Sequence, residues 1–173
     1  MMAGANEPEN ARDRYWMSRA LELARRAGAA SEVPVGAVLV RNGEMLSEGW
    51  NQSIGVCDPT AHAEMLALRA AAAASGNYRL AACTLYATLE PCSMCAGAMI
   101  HARVARLVFG AADPRAGAAG SVFNLLQTDV LNHRIQISSG VLAEECGSLL
   151  REFFRVRRGN KPVGVATALL TVG

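Results

Sequence analysis

The chain has 173 residues, of which 51% are hydrophobic and 18% charged, with a formal net charge of +2. Those values describe one compact domain with enough apolar matter for a full core, and they exclude wholesale disorder. Net charge alone marks no nucleic-acid binder. The distribution is more informative, because sixteen of the 17 basic residues are Arg and five of the 17 fall between Arg151 and Lys161.

In chain order, Arg12 to Ala29 reads as a helix. Tyr15, Met17, Ala20, Leu21, Ala24 and Ala27 approximate an apolar stripe, and Gly28 lies near its end. Val33 to Arg41 is a β-branched run, followed by Asn42-Gly43 and a second extended run from Glu44 to Asn51. Asn-Gly between two such runs is the signal of a tight hairpin. Asp58-Pro59-Thr60 opens a second helix through the Ala-rich stretch to Ser75-Gly76-Asn77. Cys83 to Leu89 is a strand, and Pro91 opens a short helix to about Ala102. Val104 to Phe109 is a strand, residues 110–120 a Gly- and Ala-rich loop, and Ile135 to Ser138 a short strand. The last helix runs from Val141 to about Arg158, with Leu142, Cys146, Leu149 and Phe153 as its buried stripe. This order predicts a three-layer α/β/α domain around a mixed five-stranded sheet. The expected division is a flexible N-terminus at 1–11, the domain at 12–158 and a C-terminal tail at 159–173. The mildly apolar stretch within that tail is expected either to pack on a neighbour or to fray.

The five cysteines are odd in number, and Met1 to Asn10 is polar without an apolar core. Both argue against a disulfide-stapled secreted protein. Val163 to Val172 falls well short of the ~20 residues that span a bilayer. A reducing cytoplasm and no membrane are expected.

The chemistry concentrates in His62-Ala63-Glu64 and Pro91-Cys92-Ser93-Met94-Cys95. Two Cys three apart share one helix face, and two thiolates with one imidazole suit zinc. A catalytic zinc keeps a fourth position open for water, and no second Cys or His pair is present to close this one. A lone Cys-x-x-Cys also suits a redox pair and a lone His a core residue, but a redox pair leaves His62-Ala63-Glu64 unexplained. Glu64 lies about 200° around an ideal helix from His62. Both serve one site only at an open helix end, so the metal is expected between two helix N-termini, where exposed N–H groups favour thiolates. Glu64 is then the carboxylate free to move protons. Cys57, Cys83 and Cys146 read as ordinary residues, and Trp16 and Trp50 as core or interface aromatics.

These two segments resemble the signature of the cytidine deaminase superfamily. The likeness extends from Tyr15-Trp16-Met17 to Phe153-Phe154-Arg155, roughly 140 residues, and resembles the bacterial tRNA-specific adenosine deaminase family. It includes Glu32 to Leu39, Gly49-Trp50-Asn51, Asp58 to Glu64, Asn77 to Leu80, Thr88 to Cys92, Cys95 to His101, Gly117 to Ser121 and Asn132-His133-Arg134. The resemblance implies one Zn2+ per subunit held by His62, Cys92 and Cys95, with Glu64 catalytic. It implies that the substrate is the wobble adenosine of a tRNA anticodon stem-loop, converted to inosine by a homodimer. It further implies that Asn51, Val35, Ala63 and Leu89 form the base pocket. Asp113 and Arg115 would contact neighbouring nucleotides, and Phe153, Phe154 and Arg155 would lie along the RNA. Taken alone, Arg151, Arg155 and Arg158 read first as a solvated helix face, a preference that the resemblance reverses. The sequence departs from the familiar pattern at Ala112 and in the tail after Arg158. The rival readings are a deaminase of free bases or nucleotides and a non-catalytic zinc-stabilised RNA-binding module.

Overall fold

The computed structural model describes residues 7–159, so the tail beyond Gly159 lies outside the described residues. Nine elements follow in order: α1 (Glu7–Ala29), β1 (Gly36–Arg41), β2 (Glu44–Trp50), α2 (Ala63–Ser75), β3 (Cys83–Leu89), α3 (Ser93–His101), β4 (Arg106–Ala111), β5 (Gln136–Ser139) and α4 (Ala143–Gly159). They build a five-stranded sheet of order β2-β1-β3-β4-β5. β1 is antiparallel to β2 and β3, while β3, β4 and β5 are parallel. This is the mixed sheet expected from the sequence.

Alternation along each strand divides the core in two. Ala37 and Leu39, Leu85 and Ala87, and Leu107 and Phe109 point to the face covered by α2 and α3. Val38 and Val40, Tyr86 and Val108 point to the other, covered by Met17, Ala20, Leu21 and Leu23 of α1 and Cys146 of α4. Successive strand residues face opposite sides, so β-branched and aliphatic runs apolar at every position mark strands buried on both faces. On the α1 side, buried Asp13 ties the layers together. Its carboxylate takes a two-pronged bond from Arg106 at 2.8 and 2.7 Å and a bond from the Tyr86 hydroxyl at 2.9 Å.

Three boundaries differ most from the sequence reading, the others by one or two residues. α1 begins at Glu7 rather than Arg12. Pro8 is compatible because a first helical turn needs no N–H there. The expected strand at Val33 starts only at Gly36, after Pro34. α2 begins at Ala63, not near Asp58. Asp58 Oδ1 instead accepts from the N–H and hydroxyl of Thr60 at 2.8 and 2.7 Å, closing a local turn. At the hairpin, Asn42 and Gly43 both take positive φ, 53° and 81°, as that turn demands.

The register gathers one end of the sheet. Gly36 pairs with Trp50, Ala37 with Ala87 and Leu89 with Ala111. Val35, Asn51, Leu89 and the segment after β4 therefore emerge together, at the carboxyl ends of the parallel strands, where α/β sheets bind ligands.

Candidate metal centre and active site

His62 and Cys92 occupy equivalent places, each the residue that precedes the first turn of a helix. His62 (φ −76°, ψ 153°) starts α2 and Cys92 (φ −73°, ψ 174°) starts α3, and neither side chain caps its own helix. Extended backbone is the usual conformation at this position, and here both side chains face each other rather than their own helix ends. Cys95 follows in the first turn of α3 and is fully buried. Glu64, in the first turn of α2, is 4% exposed.

The three donors converge. Cys92 Sγ lies 3.8 Å from Cys95 Sγ, and His62 Nδ1 lies 3.7 Å from Cys92 Sγ and 3.6 Å from Cys95 Sγ. Among the described residues this is the cluster of His, Cys, Asp and Glu able to share an ion. A tetrahedral zinc with Zn–S near 2.3 Å and Zn–N near 2.05 Å requires S···S edges of about 3.8 Å and S···N edges of about 3.6 Å. The triangle matches those edges, and the set of two sulfurs and one imidazole is one that zinc takes.

Protons compete for the same three donors. Hydrogen bonds from the Cys95 thiol and His62 bring the Cys92 thiol down to about 3. The Cys95 thiol, bonded to that thiolate and buried, is pushed far up. His62 is raised by its bond to Cys92. Burial raises the Glu64 carboxyl above the ordinary carboxylate range. A divalent cation neutralises the thiolates in place of those protons.

Asn51 is fixed by α2. Its side-chain Oδ1 accepts the Ala63 N–H at 2.8 Å, satisfying one of the open donors of the first turn. With the carbonyl engaged, the amide offers its two N–H donors. Gly49 makes this possible, because a Cβ there would fall 2.4 Å from the Ala63 carbonyl oxygen and 2.9 Å from the Ala67 nitrogen.

Residues 10–111 match the family model for the cytidine and deoxycytidylate deaminase zinc-binding region. The chain belongs to that deaminase family. Among this deaminase's relatives, a tRNA-specific adenosine deaminase of Haemophilus influenzae is 53% identical, over 87% of this chain and 88% of the relative. One from Bacillus subtilis is 48% identical, over 86% and 92%. A solved structure from work on A-to-I editing by tRNA:A34 deaminases superposes with a TM-score of 0.76 at 41% identity, covering 79% of this chain and 99% of that one. Guanine deaminase from Nitrosomonas europaea superposes at 0.71 with 29% identity, covering 81% and 83%. Zinc is the ion this deaminase takes: the family is zinc-binding and the donor triangle fits it.

A cleft of about 510 Å³ is lined by Val33, Leu89, Asp113, Arg115, Phe154 and Arg158 among others. Four sequence-selected residues, Leu89, Asp113, Arg115 and Phe154, thus share one wall. Val35 and Ala63 are buried in the core below. Arg155 does not line the cleft; it forks onto Glu152 at 2.9 and 2.7 Å on the exposed face of α4. Arg151 and Arg158 line it instead. Phe153 is half-buried, with the Arg157 guanidinium 5.2 Å from its ring. His133 is tied to the Val104 carbonyl at 2.7 Å, and His101 is exposed at the end of α3. Trp50 packs on the α1-side core beneath the Arg26 guanidinium at 3.7 Å. Sequence reasoning gave no role to the buried carboxylates Glu32 and Glu90. Their signal was an acid beside an apolar run, which names no partner.

Proposed function

We infer that this enzyme hydrolyses adenosine to inosine at the wobble position of a tRNA anticodon loop. The observation that carries the reading is the His62–Cys92–Cys95 triangle with Glu64 buried against it. Its likeness to tRNA-specific adenosine deaminases over most of the chain selects the substrate. His62, Cys92 and Cys95 hold one zinc ion, which when bound makes water nucleophilic near neutral pH.

Glu64 does the proton work. It takes a proton from the attacking water and passes it to the ring nitrogen beside C6. It then takes the proton of the new C6 hydroxyl and hands it to the amino group as the C–N bond breaks, so that ammonia leaves and the inosine carbonyl remains. A carboxyl raised by burial accepts and returns protons more evenly near pH 7 than a solvated one, and removal of water from the pocket sharpens each transfer. The Asn51 amide N–H groups donate to acceptors on the extruded purine, while Val35, Ala63 and Leu89 form its apolar walls. Asp113, Arg115, Phe154 and the α4 arginines, Arg155 included, contact flanking nucleotides. An anticodon loop suits such a site because its bases leave the stack at little cost.

The working form is a homodimer in the cytoplasm, where tRNA and reduced thiols coexist. Exposed apolar side chains such as Ile54, Val56, Phe123 and Val130 leave surface for a second subunit to cover. No helix among the described residues is long and apolar enough to cross a membrane.

An anticodon stem-loop RNA carrying the wobble adenosine, offered beside free guanine, adenosine and cytidine, tests the reading. Inosine forms in the RNA and the free compounds stay intact. Turnover of guanine with an untouched stem-loop assigns the protein to the chemistry of its guanine deaminase neighbours instead. Glu64→Gln retains zinc and the folded state yet loses at least about 10³-fold in kcat, the upper range for general acid–base catalysis. Near-normal turnover removes Glu64 from its role.

A further inference from the structure

Glu90 is only 2% exposed and takes no part in the proton transfers. It directly precedes Pro91 and Cys92. Its two oxygens receive four donors, all from the segment after β4. Oε1 accepts the N–H groups of Ala119 and Ser121, each at 3.0 Å. Oε2 accepts the Asp113 N–H at 3.0 Å and the Ser121 hydroxyl. Two backbone contacts join the same pieces. Ala118 N–H bonds the Pro91 carbonyl at 2.8 Å, and Cys92 and Gly117 form an isolated bridge. The approach is so close that a Cβ on Gly117 would lie 2.4 Å from Glu90 Cδ and 2.6 Å from the Asp113 carbonyl oxygen.

From this hub the loop is organised outward. Asp113 Oδ1 accepts the Arg115 N–H at 2.9 Å, and the Gly117 N–H bonds the Asp113 carbonyl at 2.9 Å. Asp113 and Arg115 are thereby set on the wall of the cleft beside Leu89. A carboxylate is the side chain that can do this. Both of its oxygens are full acceptors, whereas an amide has one acceptor and one group that itself donates. Charge-assisted bonds from several N–H groups also satisfy a buried carboxylate that would otherwise be unfavourable.

We propose that Glu90 is a positioning residue for RNA: it clamps the 112–121 segment onto the Pro91–Cys92 turn and thereby sets the affinity for nucleotides flanking the reacting adenosine. The proposal rests on the reading of Asp113 and Arg115 as RNA contacts. Glu90→Gln must release one side of the clamp, because its amide NH2 faces N–H donors whichever way it turns.

The test uses zinc-loaded full-length protein and the anticodon stem-loop RNA. Glu90→Gln raises KM about tenfold, the effect of losing a charge-assisted hydrogen bond, and raises it by a larger factor than it lowers kcat. Amide exchange at Asp113, Ala119 or Ser121 accelerates, while zinc content is retained. A purely structural role lowers the active fraction and leaves KM alone. KM within twofold of the unmodified protein, or changed by less than kcat, overturns the proposal, and so does unchanged amide exchange. Should Glu90→Gln not fold, Ser121→Ala removes one donor and keeps the carboxylate. It raises KM about threefold, the smaller loss of a single hydrogen bond, and an unaltered KM overturns the proposal. Unmodified protein that leaves the stem-loop untouched overturns the function proposed above, a result distinct from a normal KM in the variants.

Discussion

At the scale of single residues, Asn51 carries two duties that substitution can separate. Its Oδ1 accepts the Ala63 N–H, a contact that holds the first turn of α2 and with it His62 and Glu64. Its amide hydrogens are the proposed donors to the purine. Asn51→Asp keeps an acceptor of the same shape, and a negative charge there is favoured by the helix N-terminus. It removes both donors and sets a carboxylate against the acceptors of the base. We expect zinc content and thermal stability to remain close to normal while kcat/KM on the stem-loop falls about 10²-fold, the loss that follows when buried polar groups of a substrate go unpaired. Asn51→Ala, which loses the acceptor too, should lower stability by about 1 kcal/mol as an uncapped helix does. Full activity in Asn51→Asp would show that the amide hydrogens touch nothing in the reaction.

At the scale of elements, the approach of α2 to the sheet decides where the metal ligands fall. Gly49→Ala places a methyl 2.4 Å from the Ala63 carbonyl oxygen, which is backbone and cannot swing aside. The expected result is a loss of about 1–3 kcal/mol together with reduced zinc occupancy, read by thermal denaturation and metal analysis. A variant with normal occupancy would mean that α2 can shift without disturbing His62. Much of this level was legible in the sequence. β3 was bounded correctly as Cys83 to Leu89 because a run of apolar residues and threonines, closed by Pro91, suits a strand and little else. Asn42-Gly43 named its own turn. The start of α2 was misplaced because Asp58-Pro59-Thr60 carries the same signals for a local turn as for a helix cap, and only the Thr60 hydrogen bonds distinguish them. Glu90 stayed silent for another reason. Its donors lie 23 to 31 residues away, and no local pattern encodes a contact of that range. The pairing of Arg155 with Glu152 on the exposed face of α4 was likewise not read from the sequence.

At the scale of the whole molecule, the metal joins two helices of one layer, while the opposite layer is secured independently by Asp13, Tyr86 and Arg106. The fold should therefore outlast its zinc, unlike a small domain whose core is the metal site. Chelation is expected to leave a folded protein whose Tm is lower by roughly 5–10 °C, the shift that corresponds to a ligand held at about a hundred times its Kd in a chain of this size. The gap depends on pH with a definite sign. Metal binding needs a neutral His62 and deprotonated sulfurs, so protons compete with zinc as pH falls. In the metal-free form the His62 pKa is raised by Cys92. Its contribution to stability is complete below the ordinary imidazole value near 6.5 and is lost as pH rises through the raised one. The Cys92 thiolate contributes with the opposite sign, but it is deprotonated with or without zinc, so the gap follows the protons that His62 and Cys95 give up. Lowering the pH from 8 to 6 destabilises the zinc form relative to the metal-free form, and the difference in Tm narrows. Paired thermal scans with and without chelator across that range would measure it. A gap that widened toward acid would mean that His62 is not among the groups the cation displaces protons from.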